Sequence, residues 1–333
     1  LIAAAVWTVT DRRRSREVHR GARVRVLVRY TLAFVMLGYG VLKLFFGQFP
    51  EPSAGALIQR VGDAAPHELL WTFMGASPAY VFFSGAGETL GALLLLFRRT
   101  TTLGALVLAA VLANVVMLNF CYDVSAKINS SHYLAMCIFL VLPDLMRLGN
   151  VLVFNRTAPP AAREPMPTSP RARVARRILK IAVISAVLLV NIKDGIPLLR
   201  SNDAKIWCVG VWSVAAFARD GHDVPAVASD ATRWQRVAFQ AVEDQLYVRW
   251  RHMDGSPGEL FTVVLDEKLQ TMTLTPDSSA KPEPPIVLRY ARSDARHLTL
   301  DGDLGGQPYT VGLELLETNR MRLMSRGVRW INR

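Results

Sequence analysis

Cysteine is scarce in this chain: Cys121, Cys137 and Cys208 are the three among 333 residues. They are too few and too scattered for a disulfide framework, and no two form a C-x-x-C pair, so a dithiol redox motif is excluded. Charge is scarce as well, at 20% of residues against 51% hydrophobic, a balance that argues against a soluble chain and for one largely embedded in lipid. No metal-ligand spacing, glycine-rich phosphate loop or Ser/His/Asp constellation is found. Acidic residues are sparse in the first 200 positions, which hold 23 Lys+Arg against 10 Asp+Glu, or +13, whereas residues 201–333 hold 16 against 17, or −1. The basic excess falls between apolar runs, as in membrane proteins, and not on one face, so nucleic-acid binding is not expected.

What is present is a series of long apolar runs. A bilayer core of about 30 Å needs about 20 mostly apolar residues in a helix, because lipid offers open backbone groups no partner. Five runs predict five complete membrane spans: Leu27 to Phe46, Pro78 to Phe97, Thr100 to Phe120, Ser131 to Leu148, and Ala175 to Leu199. Arg12, Arg13, Arg14, Arg16, Arg20, Arg23 and Arg25 precede the first run, and the next connection has Arg60 alone. Arg98 and Arg99 follow the second run, Lys127 the third, and seven arginines from Arg147 to Arg177 the fourth. Basic residues favour the cytoplasmic side, so this alternation predicts that everything after Leu199 lies outside it. The opening run Leu1 to Val9 reads as the tail of an upstream helix, and the chain as a fragment lacking its beginning.

The expected organisation is a remnant helix with a basic segment (1–26), a four-helix bundle (27–150), a proline-rich cytoplasmic linker (151–174), a fifth spanning helix (175–200) and an extracytoplasmic β domain (203–333). The linker contains TAPPAAREPMPTSP, whose prolines cannot continue a helix. After residue 202 the pattern shortens to period 2. Strands are expected at Val209 to Ala215, Trp234 to Phe239, Leu246 to Trp250, Leu260 to Leu265, Thr271 to Thr275, Ile286 to Tyr290, His297 to Leu300, Thr310 to Leu315 and Arg320 to Met324, with turns at Asp254-Gly255, Asp301-Gly302 and Gly305-Gly306. So many short strands avoid open edges best by closing into an antiparallel barrel.

Three segments resemble the DoxX-like family of four-helix bacterial membrane proteins: RYTLAFVMLGYGVLKLFFGQFP (29–50), GAGETLGALLLLFRR (85–99) and NVVMLNFCYDVSAKINSSHYLAMCIFLVLPDLMRL (114–148). The tail from Trp207 to Asn332, with DATRWQR and SRGVRWIN, resembles the extracytoplasmic domain that accompanies some of these proteins. The resemblance implies a bacterial cytoplasmic-membrane location and a role near membrane redox chemistry. Relatives include the small subunit of thiosulfate:quinone oxidoreductases, so a quinone and a membrane redox partner protein are the implied cofactor and partner, besides the bilayer itself.

Glu88 lies near the middle of the second run, where an ionised carboxylate costs several kcal/mol unless paired or hydrated. Ser84, Gly85 and Gly91 share its face, and small residues pack against other helices, so Glu88 is expected inside the bundle as a proton relay or as a structural hydrogen bond. Lys43, one turn from the end of the first run, either snorkels to the interface or pairs with Glu88 or Asp123. Lys43, Asn114, Asn119, Asp123, Lys127 and His132 are expected to form a polar vestibule on the outer rim with Glu88 at its floor. The plainer alternatives are helix-to-helix glue for the asparagines and an ordinary i,i+4 pair for Asp123 and Lys127. Asp144 and Arg147 are expected to pair beside Pro143 at a kinked helix end. In the β domain, Gly210-Val211-Trp212 with Arg322, Arg326 and Arg329 resembles lipocalin-like barrels, in which a late arginine lies over the first-strand tryptophan as a floor plug.

Three functions follow: an accessory subunit of a quinone-linked redox system, a non-enzymatic protein whose barrel captures an apolar ligand or a partner, and a scaffold whose polar residues serve packing alone.

Overall fold

The computed structural model describes residues 14–160, 206–242, 245–277 and 284–325, with positions 169–171, 174, 175, 177, 178, 181, 182, 184–186, 189, 190 and 193. It divides into two compact units, Leu1–Phe49 with Pro78–Leu199, and Pro50–Ser77 with Arg200–Arg333. In chain order the helices are α1 (Arg14–Leu44), α2 (Ala54–Ile58), α3 (Pro66–Gly75), α4 (Pro78–Leu95), α5 (Thr101–Cys121), α6 (Lys127–Val141) and α7 (Leu145–Leu152).

In the first unit, Gly21–Leu44, Thr101–Cys121 and Lys127–Leu152 are long and apolar enough to cross a membrane. Only 28% and 17% of the last two are buried within the protein. The positions left outside are themselves apolar, among them Leu103, Met117, Phe120, Ile138 and Met146, a surface suited to acyl chains and not to water. The five spans expected from sequence are not reached among the described residues. Helix α4 has 18 residues, and Glu88 with Gly85, Gly87 and Gly91 lowers its apolar content. The expected fifth span falls largely outside the described residues, and its described positions are helical.

The helices pack at close quarters where side chains vanish. A Cβ on Gly85 would stand 2.8 Å from both the Gly40 carbonyl oxygen and Lys43 Cβ of α1, and one on Gly104 of α5 would stand 2.8 Å from the backbone nitrogen of Leu95. Around these contacts Leu32, Met36, Leu37, Leu95, Leu108 and Leu140 form the core. Helix α6 ends in a 3-10 turn, Leu142–Asp144, because Pro143 supplies no amide for the helical ladder. Asp144 there accepts from Arg147 Nη1 at 2.6 Å, Thr102 Oγ1 at 2.5 Å and Arg25 Nη2 at 3.4 Å, tying the kinked end to α1 and α5.

The second unit is an antiparallel barrel of β1 (Gly210–Arg219), the two-residue β2 (His222–Asp223), β3 (Trp234–Val242), β4 (Gln245–His252), β5 (Pro257–Asp266), β6 (Thr271–Pro276), β7 (Ile286–Arg292), β8 (His297–Leu304) and β9 (Gln307–Leu315). Each strand from β3 onward pairs with its successor, and β1 pairs with both β3 and β9, from Trp212↔Leu315 to Arg219↔Tyr309. That last ladder removes the edges. The strand expected at Arg320 to Met324 is instead a 3-10 turn, Thr318–Arg320, and a bend, because closure at Leu315 leaves it no edge to join. Asp301-Gly302 lies within β8 and does not turn; Gly305-Gly306, at φ +66° and +85°, makes the tight β8–β9 hairpin.

Inward residues fill the barrel. Trp212, Phe217, Trp234, Trp250, Phe261 and Met272 are all buried, with Trp234 stacked on Trp250 at 4.3 Å and Trp250 on Phe261 at 4.9 Å. Two outward residues, Val211 and Ala238, are also buried, covered by Ile58 of α2. This is why Pro50–Ser77, which the sequence presents as a connection between two helices of the bundle, belongs to the barrel unit.

Two outcomes follow from this packing. Replacing Gly85→Leu forces α1 and α4 apart and should lower stability by about 2 to 3 kcal/mol. Gly21→Ala, whose Cβ meets nothing within 4 Å, should be neutral or stabilising; thermal unfolding of both variants in one detergent checks the contrast. The second outcome concerns acid. Asp230 accepts from the hydroxyl and amide of Thr232 and the amide of Arg233, and these bonds, the Thr232 hydroxyl foremost, hold its carboxyl below the usual range. Asp254 is lowered by Ser256 and Asp294 by the Arg296 amide in the same manner. Their contribution is complete above the unfolded carboxyl range near pH ~4 and is lost as pH falls through the lowered folded values. Below pH ~4 the urea midpoint of the tryptophan signal should therefore fall more steeply in the native protein than in an Asp230→Asn/Asp254→Asn/Asp294→Asn variant.

Candidate functional site

Lys43, in the last turn of α1, and Glu88, in the middle of α4, meet inside the first unit. Lys43 Nζ donates to Glu88 Oε1 at 2.5 Å, and the two residues are 4% and 2% exposed. Of the two fates open to Lys43 on sequence grounds, snorkelling or pairing, the geometry shows pairing with Glu88. The glycine contact at Gly40 and Gly85 brings the helices near enough for it. The Phe49 ring lies 5.9 Å from Nζ. Glu88 Oε2, on the far side of the carboxylate, is buried and has no hydrogen-bond partner among the described residues, as is the case for the hydroxyl oxygen of the adjacent Thr89. A fixed cation thus holds one carboxylate oxygen while the other retains its full capacity to accept a proton or a hydrogen bond.

The other residues expected at the rim take different places. Asn119 is buried, and its Nδ2 donates to Ser130 Oγ at 3.0 Å and to the Ala126 carbonyl at 3.4 Å, joining the end of α5 to the start of α6. Lys127, half-buried, and the exposed Asp123 form an i,i+4 pair. His132 is exposed, its Nδ1 2.8 Å from the Ile128 carbonyl oxygen, and Asn114 is exposed on α5. The structure therefore brings Lys43 and Glu88 together, and Asn119 to Ser130, by separate contacts.

The barrel departs from the expected floor plug. Trp212 is fully buried and its Nε1 donates to the Cys208 carbonyl at 2.8 Å. Arg322 is exposed in the bend after the 3-10 turn, for the same reason that its strand is missing, and Arg326 and Arg329 lie outside the described residues. Cation–π contacts come from other arginines: Arg233 over Phe217 at 5.8 Å, Arg219 over Tyr309 at 5.3 Å and Arg292 over Trp207 at 5.3 Å. All three cysteines are free thiols; Cys121 is exposed, Cys137 and Cys208 are buried, and burial pushes the Cys208 thiol up to about 12. A thiol so placed is an inert hydrophobe.

A second feature, on the outer barrel wall, was not among the sequence expectations. The segment Pro50–Thr72 and the outward residues of β3, β4 and β5 enclose an open cleft of about 440 Å³, lined by Trp71, His67, Glu51, Gln240, Arg249 and Leu260, among others. Arg249 and Leu260 also line an adjoining cleft of about 240 Å³. Arg251 Nη2 reaches Asp63 Oδ2 at 3.4 Å, and Arg60 donates to the Asp254 carbonyl, so two cross-links hold the segment on the barrel. The signals available in sequence were modest: prolines at 50, 52 and 66, a Ser53 cap and a lone Trp71 in a connection that is too long for a simple loop.

Comparison with known proteins adds one relative. Over 139 residues the chain is 34% identical to a protein of Bacillus subtilis (strain 168) described as uncharacterized protein YwoB, and the match spans 38% of this chain and 86% of that protein. No family model matches the chain. No solved structure matches it.

Removing one partner of a buried pair leaves an uncompensated charge, so Lys43→Met should cost about 3 to 5 kcal/mol, and adding Glu88→Leu to it should recover most of that loss. Unfolding of the two single variants and the double variant in the same micelles measures it. A Lys43→Met cost below ~1 kcal/mol would show a solvated pair.

Proposed function

Because this chain belongs to the same family as YwoB, a protein whose description assigns no activity, we propose its function from the one arrangement in the bundle able to carry chemistry. We infer a DoxX-like integral membrane protein that serves as an accessory subunit in a quinone-linked redox system, with Glu88 as its proton acceptor. The observation that carries this reading is the buried, unpartnered Oε2 of a carboxylate whose other oxygen is held by Lys43. That is the partner a quinol hydroxyl requires: a desolvated acceptor oxygen on a carboxylate whose other oxygen is held by Lys43. A quinol supplies two electrons and two protons when oxidised. Glu88 accepts one proton at Oε2 and becomes neutral while Lys43 stays hydrogen-bonded to Oε1, and the second proton and both electrons pass to a partner protein. In this reading the bundle crosses a bacterial cytoplasmic membrane, with α4 and the apolar run at 175–199 as further spans. The arginine clusters face the cytoplasm, and the barrel, lipocalin-like in its first-strand tryptophan, lies outside.

The scaffold reading is less well supported, since a residue retained for packing alone would leave no acceptor open in a desolvated site. Capture of an apolar ligand within the barrel is disfavoured by the tryptophans, Phe217, Phe261 and Met272 that fill it. In the test, protein extracted from its native membrane in mild detergent should carry quinone in its lipid extract. The Lys43→Met/Glu88→Gln double variant, which leaves no charge unpaired, should insert to the same level and carry at least tenfold less. Quinone-free native protein, or equal loading of the variant, would falsify the assignment.

A further inference from the structure

The cleft between Pro50–Thr72 and the outer wall of β3–β5 is independent of the Lys43–Glu88 pair, and its polar groups are placed as those of a ligand site. Arg249 is half-buried on β4 at the junction of the two adjoining clefts. Its Nε is shielded from water without a hydrogen-bond partner, and among the described residues its guanidinium makes no ion pair or hydrogen bond. Nearby arginines are engaged: Arg251 bonds Gly255 and Asp63, and Arg60 bonds Asp254. On the neighbouring strand Gln240, a second lining residue, also has a buried oxygen, Oε1, with no partner among the described residues. It lies where a Cβ on Gly55 would come within 2.7 Å, so Gly55 leaves the side chain its place. Native proteins rarely bury such groups unsatisfied, and a charged one is the costliest to leave so.

The remaining lining sets the ligand class. Trp71, Leu260, Ala238 and Pro50 give the cleft an apolar and aromatic wall. Glu68 is occupied, capping the Ala65 amide at 3.0 Å and accepting from Gln59 at 3.2 Å, while Glu51 is exposed beside it. Two carboxylates among the lining residues repel a multiply charged anion and tolerate a single charge aimed at Arg249. A volume of about 440 Å³ falls within the range of small-molecule sites, about 300 to 1,000 Å³.

We propose that this cleft binds a monocarboxylate with an apolar tail, its carboxylate on Arg249, its polar edge on Gln240 and its tail against Trp71 and Leu260. Bidentate geometry suits a guanidinium and a carboxylate, and the partly desolvated site strengthens the bond. The test uses the full chain in nanodiscs of zwitterionic lipid, titrated calorimetrically with octanoate and, separately, with octanol, against empty nanodiscs. Octanoate should bind saturably at one site, and octanol at least tenfold more weakly. Arg249→Gln should weaken octanoate at least tenfold, whereas Arg249→Lys, which keeps the charge, should retain more of the affinity; an unchanged thermal midpoint shows that both variants fold. No saturable octanoate binding, octanol binding as tightly as octanoate, or octanoate affinity unaffected by Arg249→Gln would each overturn the proposal.

Discussion

An ammonium and a carboxylate withdrawn from water persist only against one another, and the Lys43–Glu88 contact is the condition that organises the helical unit. To meet it, α1 and α4 must approach to a distance that ordinary side chains forbid, and Gly40 and Gly85 supply that distance. The same requirement appears at lower cost elsewhere. Asn119 turns to Ser130, and Asp144 gathers Arg25, Thr102 and Arg147. The outward faces need no such care, since their exposed side chains are themselves apolar and suited to acyl chains.

The barrel solves the corresponding problem for backbone groups. Pairing β1 with β9 closes the ladder, so the interior can be filled by aromatic rings with no edge left to defend. Closure also leaves an outer wall, and where Val211 and Ala238 make that wall apolar the chain borrows Ile58 from far upstream to cover it. The interior is thereby filled, and the open space lies on the exterior, in the seam between cover and wall.

Legibility in the sequence followed the range of the contact concerned. Period-2 alternation revealed the eight longer strands, because inside and outside alternate within each strand regardless of its neighbours. It also suggested a strand at Arg320 to Met324, since alternation alone cannot register that the sheet has already closed at Leu315. Glu88 was readable as an inward residue from the small residues on its own helix face, but its choice of Lys43 depended on an interhelical approach that no local pattern encodes. Asn114 and His132 carried the right chemistry without the right facing: polar residues near helix ends are satisfied by solvent or by their own carbonyls as readily as by a shared site. The cleft was invisible, because residues such as Asp63 and Arg251 meet across 188 positions of sequence.

The discontinuity of the barrel unit constrains how the chain threads its membrane. Pro50–Ser77 and Arg200–Arg333 form one compact body, so both must reach the same aqueous compartment. The number of crossings between Ser77 and Arg200 is consequently even. Thr101–Cys121 and Lys127–Leu152 are long and apolar enough to be two of them. With those two across, parity ties α4, which carries Glu88, to the apolar run at 175–199: one traverses the bilayer only if the other does.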